Sequence, residues 1–361
     1  MQSKGMVINM RKISFGQLMI ILFISRIFYT MTFVPFMYND ITSQIIGFSV
    51  TTALECLMVI PVIILYKKHP DKNICQVAYE KSKIFGILVC IAFAFAAILV
   101  LNRLFRYFGY FMFVNFPDLL PPWIVVSAIA LVSFYAAFQG IEAIARSSAI
   151  GFGFFVLSFV IVLVVILPKT SYSNVIYTYP QIDDISHEVY YELSKSSELF
   201  LFPILYPYAK EKAGKSIYGA IALKLIFVYV ITCICMLTLG SYLNISKFPF
   251  FDLGSYAETF LIERLDAFLL PAWILLAFIK AALFMFIGKI ALSTGFKNIK
   301  SNVFLGIIGV ISTGFSIVSV WKQNWNVNTF DIFIITVLIF ALGVILPLIY
   351  CFGKGDKNET K

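Results

Sequence analysis

Residues 84–113 read IFGILVCIAFAFAAILVLNRLFRYFGYFMF. No charged residue appears between Ile84 and Asn102, and that run is close to the roughly 20 apolar residues a helix needs to cross a hydrocarbon core. In hydrocarbon the backbone finds no water, so the segment must pair its own N–H and C=O groups as a helix. The same pattern recurs on both sides. About ten apolar segments can be drawn, near 13–36, 42–66, 84–113, 122–140, 147–168, 189–208, 215–240, 267–289, 303–320 and 330–351. The composition agrees: of 361 residues 60% are hydrophobic and 13% charged, where a soluble domain carries about 25% charged residues.

A net charge of +9 raises the question of nucleic acid. The placement of the charge answers it, because the basic residues sit in short loops between apolar segments, as the positive-inside rule expects. With the N-terminus inside, 18 of the 28 Lys and Arg residues fall in inner loops and tails, and only four (Lys169, Lys247, Arg264, Lys322) fall clearly outside. The predicted fold class is therefore all-α: a polytopic membrane protein of about ten transmembrane helices, N-in and C-in, forming a single integral membrane domain over 1–361. Trp123, Trp273, Trp321 and Trp325 fall toward the outer side, where interfacial anchoring accounts for them. Lys4, Arg11 and Lys12 give the first segment a signal-like start, but its length and the spans that follow predict a retained helix. Two outer loops are long, 169–188 and 241–266, and Asp252 to Asp266 reads as a short helix lying on the membrane surface.

Enzyme signatures are missing. The six cysteines imply no disulfide framework, His69 and His187 are far apart in loops, and no zinc or haem ligand set exists. Gly151-Phe152-Gly153 lacks a preceding strand and a phosphate-loop lysine, and reads as packing. No cofactor, no metal and no catalytic activity are expected.

Charges at depth are more informative. Arg26, Glu55, Glu198 and Lys280 lie near the middle of spans 1, 2, 6 and 8. Each costs ~2.5–3.5 kcal/mol if it faces lipid, so all four are expected to face the interior. Two readings stand: a polar ligand site at the midplane, or ion pairs that lock helices together. In span 6 the clean apolar run, Leu199 to Tyr208, contains Pro203 and Pro207 and is too short to cross alone. It must extend back through Ser194, Lys195, Ser196, Ser197 and Glu198, as a discontinuous helix or a proline-kinked one. Span 3 ends in Arg103 and Arg106, which share a helix face. They either steer an anionic group inward or snorkel to the outer headgroups. Arg146 with Glu142 reads as an inner interfacial anchor, and Lys224 as a residue that snorkels to the inner surface.

Three stretches give the chain a family resemblance. Residues 13–35, ISFGQLMIILFISRIFYTMTFVP, open with Ile-Ser-x-x-Gln. Arg103 in the third span is followed by a proline turn (Pro121, Pro122) and a Gly-Ile-Glu-x-x-x-Arg ending from Gly140 to Arg146. Residues 263–286 read ERLDAFLLPAWILLAFIKAALFMF. In order and spacing these resemble the B subunits of bacterial spore nutrient germinant receptors, the endospore germination permease family within the amino acid–polyamine–organocation superfamily. The resemblance implies a LeuT-like five-plus-five inverted repeat, with halves at about 13–168 and about 189–351, in the bacterial cytoplasmic membrane and specifically the spore inner membrane. It implies binding of a small nutrient such as an amino acid that signals germination, with an A-type membrane subunit, a C-type lipoprotein and the lipid bilayer as partners, and no nucleic acid. Carried over by position, the ligand pocket comprises Phe28 and Thr30 in span 1, the region just before Arg103, Glu198 and Leu199 in span 6, and Lys280 and Phe284 in span 8, with Arg26 and Glu55 joining on depth. Many members have Gly-x-Gly where this chain has Phe28 and Thr30, and without glycine an unwound first helix is harder to reach. Lys280 replaces a small polar residue. Beside Arg26 it favours a ligand with an extra carboxylate, or it stands in for a coupling cation by pairing with Glu198. The rival reading is a secondary transporter of amino acids or related small organic solutes; a water or ion channel is a third.

Overall fold

The computed structural model describes residues 12–32, 41–116, 120–175, 179–210, 212–257, 265–322 and 329–352. They form α1 (Phe15–Thr32), α2 (Ile41–Lys68), α3 (Ile74–Lys81), α4 (Lys83–Asn115), α5 (Pro122–Gln139), α6 (Ile141–Ile166), α7 (Ile182–Leu193), α8 (Glu198–Leu205), α9 (Ala213–Leu239), α10 (Pro249–Tyr256), α11 (Asp266–Gly295), α12 (Ser301–Trp321), α13 (Thr329–Phe340) and α14 (Leu346–Phe352). Among the described residues, nine helical stretches are long and apolar enough to cross a membrane. The tenth expected crossing, at 189–208, is built from two short helices, α7 and α8, joined by Ser194–Ser197. The chain is an all-α polytopic integral membrane protein.

Burial sorts the helices into layers. In α1 and α11, 72% of the most apolar window is buried inside the protein, against 28% for α6 and 33% for α5 and α12. The first two therefore form the centre and the last three an outer wall. On that wall Leu131, Ile150 and Val310 are more than two-thirds exposed, which only a lipid surround makes favourable for so many apolar side chains. Helix α11 packs on α1, α4, α5, α6 and α12. In its first third Trp273 is fully buried, with ring centroids 4.8 Å from Phe108 and 5.5 Å from Phe28, both stacked. Its indole N–H donates to Thr32 Oγ1 at 2.8 Å, so it satisfies its one polar atom inside the core. Trp273 is thus a central packing residue and not the interfacial anchor its sequence position predicts.

Local chemistry fixes where α1 begins. Ser14 Oγ accepts from the Gln17 amide and Gln17 Oε1 accepts from the Ser14 amide, a capping box that satisfies donors left free at a helix start. The Ile-Ser-x-x-Gln opening has this structural purpose. Just before it, Ile13 bridges to the chain after α8: its N–H donates to the Tyr208 carbonyl at 2.8 Å and its carbonyl accepts from Lys210 at 2.9 Å. From Phe15 to Thr32 the helix is uninterrupted, in keeping with the absence of glycine at 28 and 30.

Both long outer loops contain helix among the described residues. The 169–188 loop is helical from Ile182 onward, as α7. The predicted surface helix from Asp252 to Asp266 begins earlier and is short: α10 runs Pro249–Tyr256 and buries Phe250, Phe251 and Leu253 against the bundle. Residues 33–35 and Glu263-Arg264 of the resembling stretches, Trp325, and the tail cations Lys4, Arg11, Lys354, Lys357 and Lys361 lie outside the described residues.

Helices α5 and α6 meet at Gly140, whose φ of 97° and ψ of −176° lie in a region essentially restricted to glycine, with strain of about 1–3 kcal/mol for other residues. Gly140→Ala is expected to destabilise the protein by about that amount, seen as a lower thermal-unfolding midpoint of the purified protein in nanodiscs. An unchanged midpoint would show that this corner is not constrained.

Candidate functional site

The site is built around the interruption between α7 and α8. Three of the four linker residues are serines, and a serine hydroxyl offers the backbone an alternative to helical pairing. Ser194 Oγ donates to the Tyr191 carbonyl at 2.7 Å and Ser196 Oγ to the Glu192 carbonyl at 3.2 Å. Ser197 N–H turns back to the Lys195 carbonyl at 2.8 Å. All four linker residues, and Glu192 and Glu198 on either side, are buried. A helix interruption carrying charge in the centre of an apolar bundle persists only where protein groups satisfy it.

Arg26 supplies that satisfaction from α1. Its Nη2 donates to Glu192 Oε2, its Nη1 to Thr30 Oγ1 at 3.0 Å, and its Nε lies 3.8 Å from Glu198 Oε1. One guanidinium therefore binds the carboxylates at both ends of the interruption. Lys195 pairs with Glu192 Oε1 at 2.5 Å. From α2, Glu55 accepts from Ser196 Oγ at 2.5 Å and from Lys224 Nζ of α9. From α4, Arg103 Nη1 donates to the Ser194 carbonyl at 3.2 Å, and its guanidinium lies 4.9 and 5.5 Å from the Tyr29 and Tyr107 ring centroids. From α11, Lys280 Nζ donates to the Ser25 carbonyl and lies 3.6 Å from the Tyr29 centroid and 5.7 Å from that of Phe284.

The structure thus brings together Arg26, Thr30, Glu55, Arg103, Glu198, Lys280 and Phe284 of the predicted site. Phe28 and Leu199 have packing surroundings instead. Phe28 stacks on Trp273. A Cβ on Gly343 would stand 3.1 Å from the Leu199 carbonyl oxygen, and Gly343 belongs to a π-helical stretch, Ala341–Ile345, between α13 and α14.

Several expectations are corrected. Lys280 does not pair with Glu198; among the described residues it makes no ion pair, because the Ser25 carbonyl and the Tyr29 face hold the ammonium. Lys224 does not snorkel: it is buried and paired with Glu55. Of the two readings left open for Arg103 and Arg106, the inward one fits: both are buried, Arg103 reaches the Ser194 carbonyl and Arg106 binds Asp331. Glu188, Glu192 and Lys195 were legible as neighbours through their spacing of four and three, which puts them on one helix face. Placing Glu188 in a loop and starting the span at 189 hid that face.

In this cluster Arg103 Nε and Nη2, Arg26 Nε, Ser197 Oγ, Glu198 Oε2 and Glu188 Oε1 have no hydrogen-bond partner despite burial. Buried polar atoms are paired in the great majority of cases, so donors and acceptors left open at one interruption make it a candidate site for a small polar molecule. A separate recess of about 780 Å³ lies among Lys169, Thr238, Tyr242, Asp252 and Tyr256, where burial raises the Asp252 carboxyl above its usual range although Ser246 donates to it. It carries neither the density of buried charge nor the interrupted backbone of the central cluster. The central cluster is therefore the candidate site. Among the described residues no group of His, Cys, Asp and Glu is arranged to hold a metal ion.

The Glu55–Lys224 pair provides a test of the electrostatics. Lys224→Met leaves a buried carboxylate without its cation and is expected to cost about 3–5 kcal/mol, much of it recovered in the double variant with Glu55→Gln. Thermal unfolding of the four proteins of this cycle measures it. A loss in the double variant equal to the sum of the two single losses would mean that the two side chains are not coupled.

No curated protein matches the chain. A family described as spore germination protein matches residues 12–326, a span that contains α1, the α7–α8 interruption and every side chain assigned to the cluster. The chain belongs to the spore germination protein family.

Proposed function

We propose that this protein is the B subunit of a nutrient germinant receptor, a non-enzymatic sensor that binds a small nutrient such as an amino acid at the α7–α8 interruption. The observation that carries the reading is the pair of open acceptors, Ser197 Oγ and Glu198 Oε2, beside the Arg26 clamp. Together with the open Arg103 N–H groups they suit a molecule that has both donors and acceptors. Interrupted helices in membrane proteins bind ligands through groups freed in this way. Binding biases an equilibrium between two arrangements of α7 and α8 by the difference in ligand affinity for the two. An A-type membrane subunit and a C-type lipoprotein in the spore inner membrane read that bias. In this reading the halves at about 13–168 and about 189–351 are the inverted repeats of a LeuT-like bundle.

A secondary transporter is the second reading. It is favoured by the run of charge from Glu192 and Arg26 through Ser196 and Glu55 to Lys224, which links four helices and suits ion coupling.

Spores and growing cells of a strain lacking the gene separate the two. Loss of germination in a defined nutrient with normal uptake of that nutrient is the expected result. Normal germination with reduced uptake would establish transport instead. In a restored strain, Glu198→Gln is expected to weaken the nutrient response while the protein still accumulates in the membrane.

A further inference from the structure

We propose that the molecule bound at the α7–α8 interruption carries a net negative charge, with its anionic group, a carboxylate, seated between Arg103 and Lys280 beside the Tyr29 ring. The inference rests on the central-site reading above and adds the charge class of the ligand.

The first observation is a mismatch of buried charge. Around the interruption the buried cations are Arg26, Arg103, Lys195, Lys224 and Lys280, and the buried carboxylates are Glu55, Glu188, Glu192 and Glu198. Arg26 and Lys195 share Glu192, Arg26 also reaches Glu198, and Lys224 holds Glu55. Among the described residues neither Arg103 nor Lys280 has a carboxylate within ion-pair distance. Unpaired buried charge is costly, and it persists where a partner arrives or the group turns neutral. Arginine does not take the neutral route.

The second observation is the direction of the open valences. Arg103 gives one N–H to the Ser194 carbonyl and keeps Nε and Nη2 without a partner. Lys280 gives one N–H to the Ser25 carbonyl. The two cations lie 4.9 and 3.6 Å from the centroid of the same tyrosine ring. That ring attracts both through its face, but it supplies no full negative charge, and its hydroxyl is turned to the Val100 carbonyl at 3.2 Å. The forked donors of an arginine match the two oxygens of a carboxylate, and an ammonium beside them completes the coordination.

The third observation selects the net charge. Glu198 Oε2 and Ser197 Oγ, the open acceptors, suit an ammonium or hydroxyl of the same ligand. A zwitterion with one carboxylate and one ammonium adds no net charge and leaves the excess cation uncompensated. An acidic amino acid or a hydroxy acid adds one negative charge and balances it.

The test uses the full-length protein in nanodiscs and pairs of probes that differ only in charge: L-glutamate against L-glutamine, and L-lactate against lactamide. L-Alanine and glucose serve as zwitterionic and uncharged probes. Binding is read by calorimetry and by the shift in thermal-unfolding midpoint. The expected result is that the acid of at least one pair binds about tenfold or more tightly than its amide. That preference should be lost in Lys280→Met and Arg103→Gln and kept in Lys280→Arg. Comparing acid with amide on the unmodified protein needs no variant, so a variant that fails to fold leaves the test intact. If an amide, L-alanine or glucose binds as tightly as the acids and Glu198→Gln abolishes that binding, the net-anion inference is overturned and the central site stands. If none of the probes binds, the central-site reading falls and this inference with it.

Discussion

The arrangement of the bundle centre depends on a single guanidinium. Arg26 on α1 reaches Glu192 before the interruption and Glu198 after it, so the break between α7 and α8 is closed electrostatically by a third helix. In water such pairs contribute little. In a bundle surrounded by hydrocarbon, a carboxylate at each end of an interrupted helix is tolerable only with a cation at hand. Once Arg26 is placed, the neighbouring choices follow. Ser194 and Ser196 satisfy backbone and carboxylate together, Glu55 receives the Ser196 hydroxyl, and Lys224 neutralises Glu55.

Helix α11 connects this charged centre to an aromatic one. Lys280 enters the cluster, while two turns earlier Trp273 is stacked among Phe28, Phe108 and Phe111. Tyr29 on α1 stands between the two: Lys280 and Arg103 lie over its ring, and Phe28 and Tyr107 pack against it. Movement of α11 relative to α1 therefore disturbs ion–ring contacts and ring stacking at once. That coupling supports the sensing role proposed above. The family match ends at residue 326, yet the π-helical stretch beyond it packs Gly343 on the Leu199 carbonyl, so the last crossing also touches the interrupted segment.

The expectation that Gly140→Ala is costly and the expectation that Lys224→Met is costly differ in how visible they are from the chain alone. A glycine in a Gly-Ile-Glu-x-x-x-Arg ending invites attention locally. Lys224 sits within an apolar span near its inner end, and sequence position favours snorkelling; only the approach of α2 shows that Glu55 is its partner. The same holds for Arg103 and Trp273. Each is near a predicted outer boundary, where headgroups or water explain it, and each is instead buried by neighbours distant in sequence.

Composition, hydropathy and the distribution of Lys and Arg determined that this chain is an all-α membrane protein, because the cost of unpaired backbone and of charge in hydrocarbon leaves few alternatives. The serine- and proline-rich span 6 marked the interruption, and charge at depth marked Arg26, Glu55, Glu198 and Lys280, since those costs are local to the residue. Partnership was decided only in three dimensions. Whether Lys280 binds Glu198 or the Ser25 carbonyl, and whether Glu188 belongs to a loop or to the centre, depends on helix rotation and on contacts between segments far apart in the chain. No single segment's periodicity encodes that information.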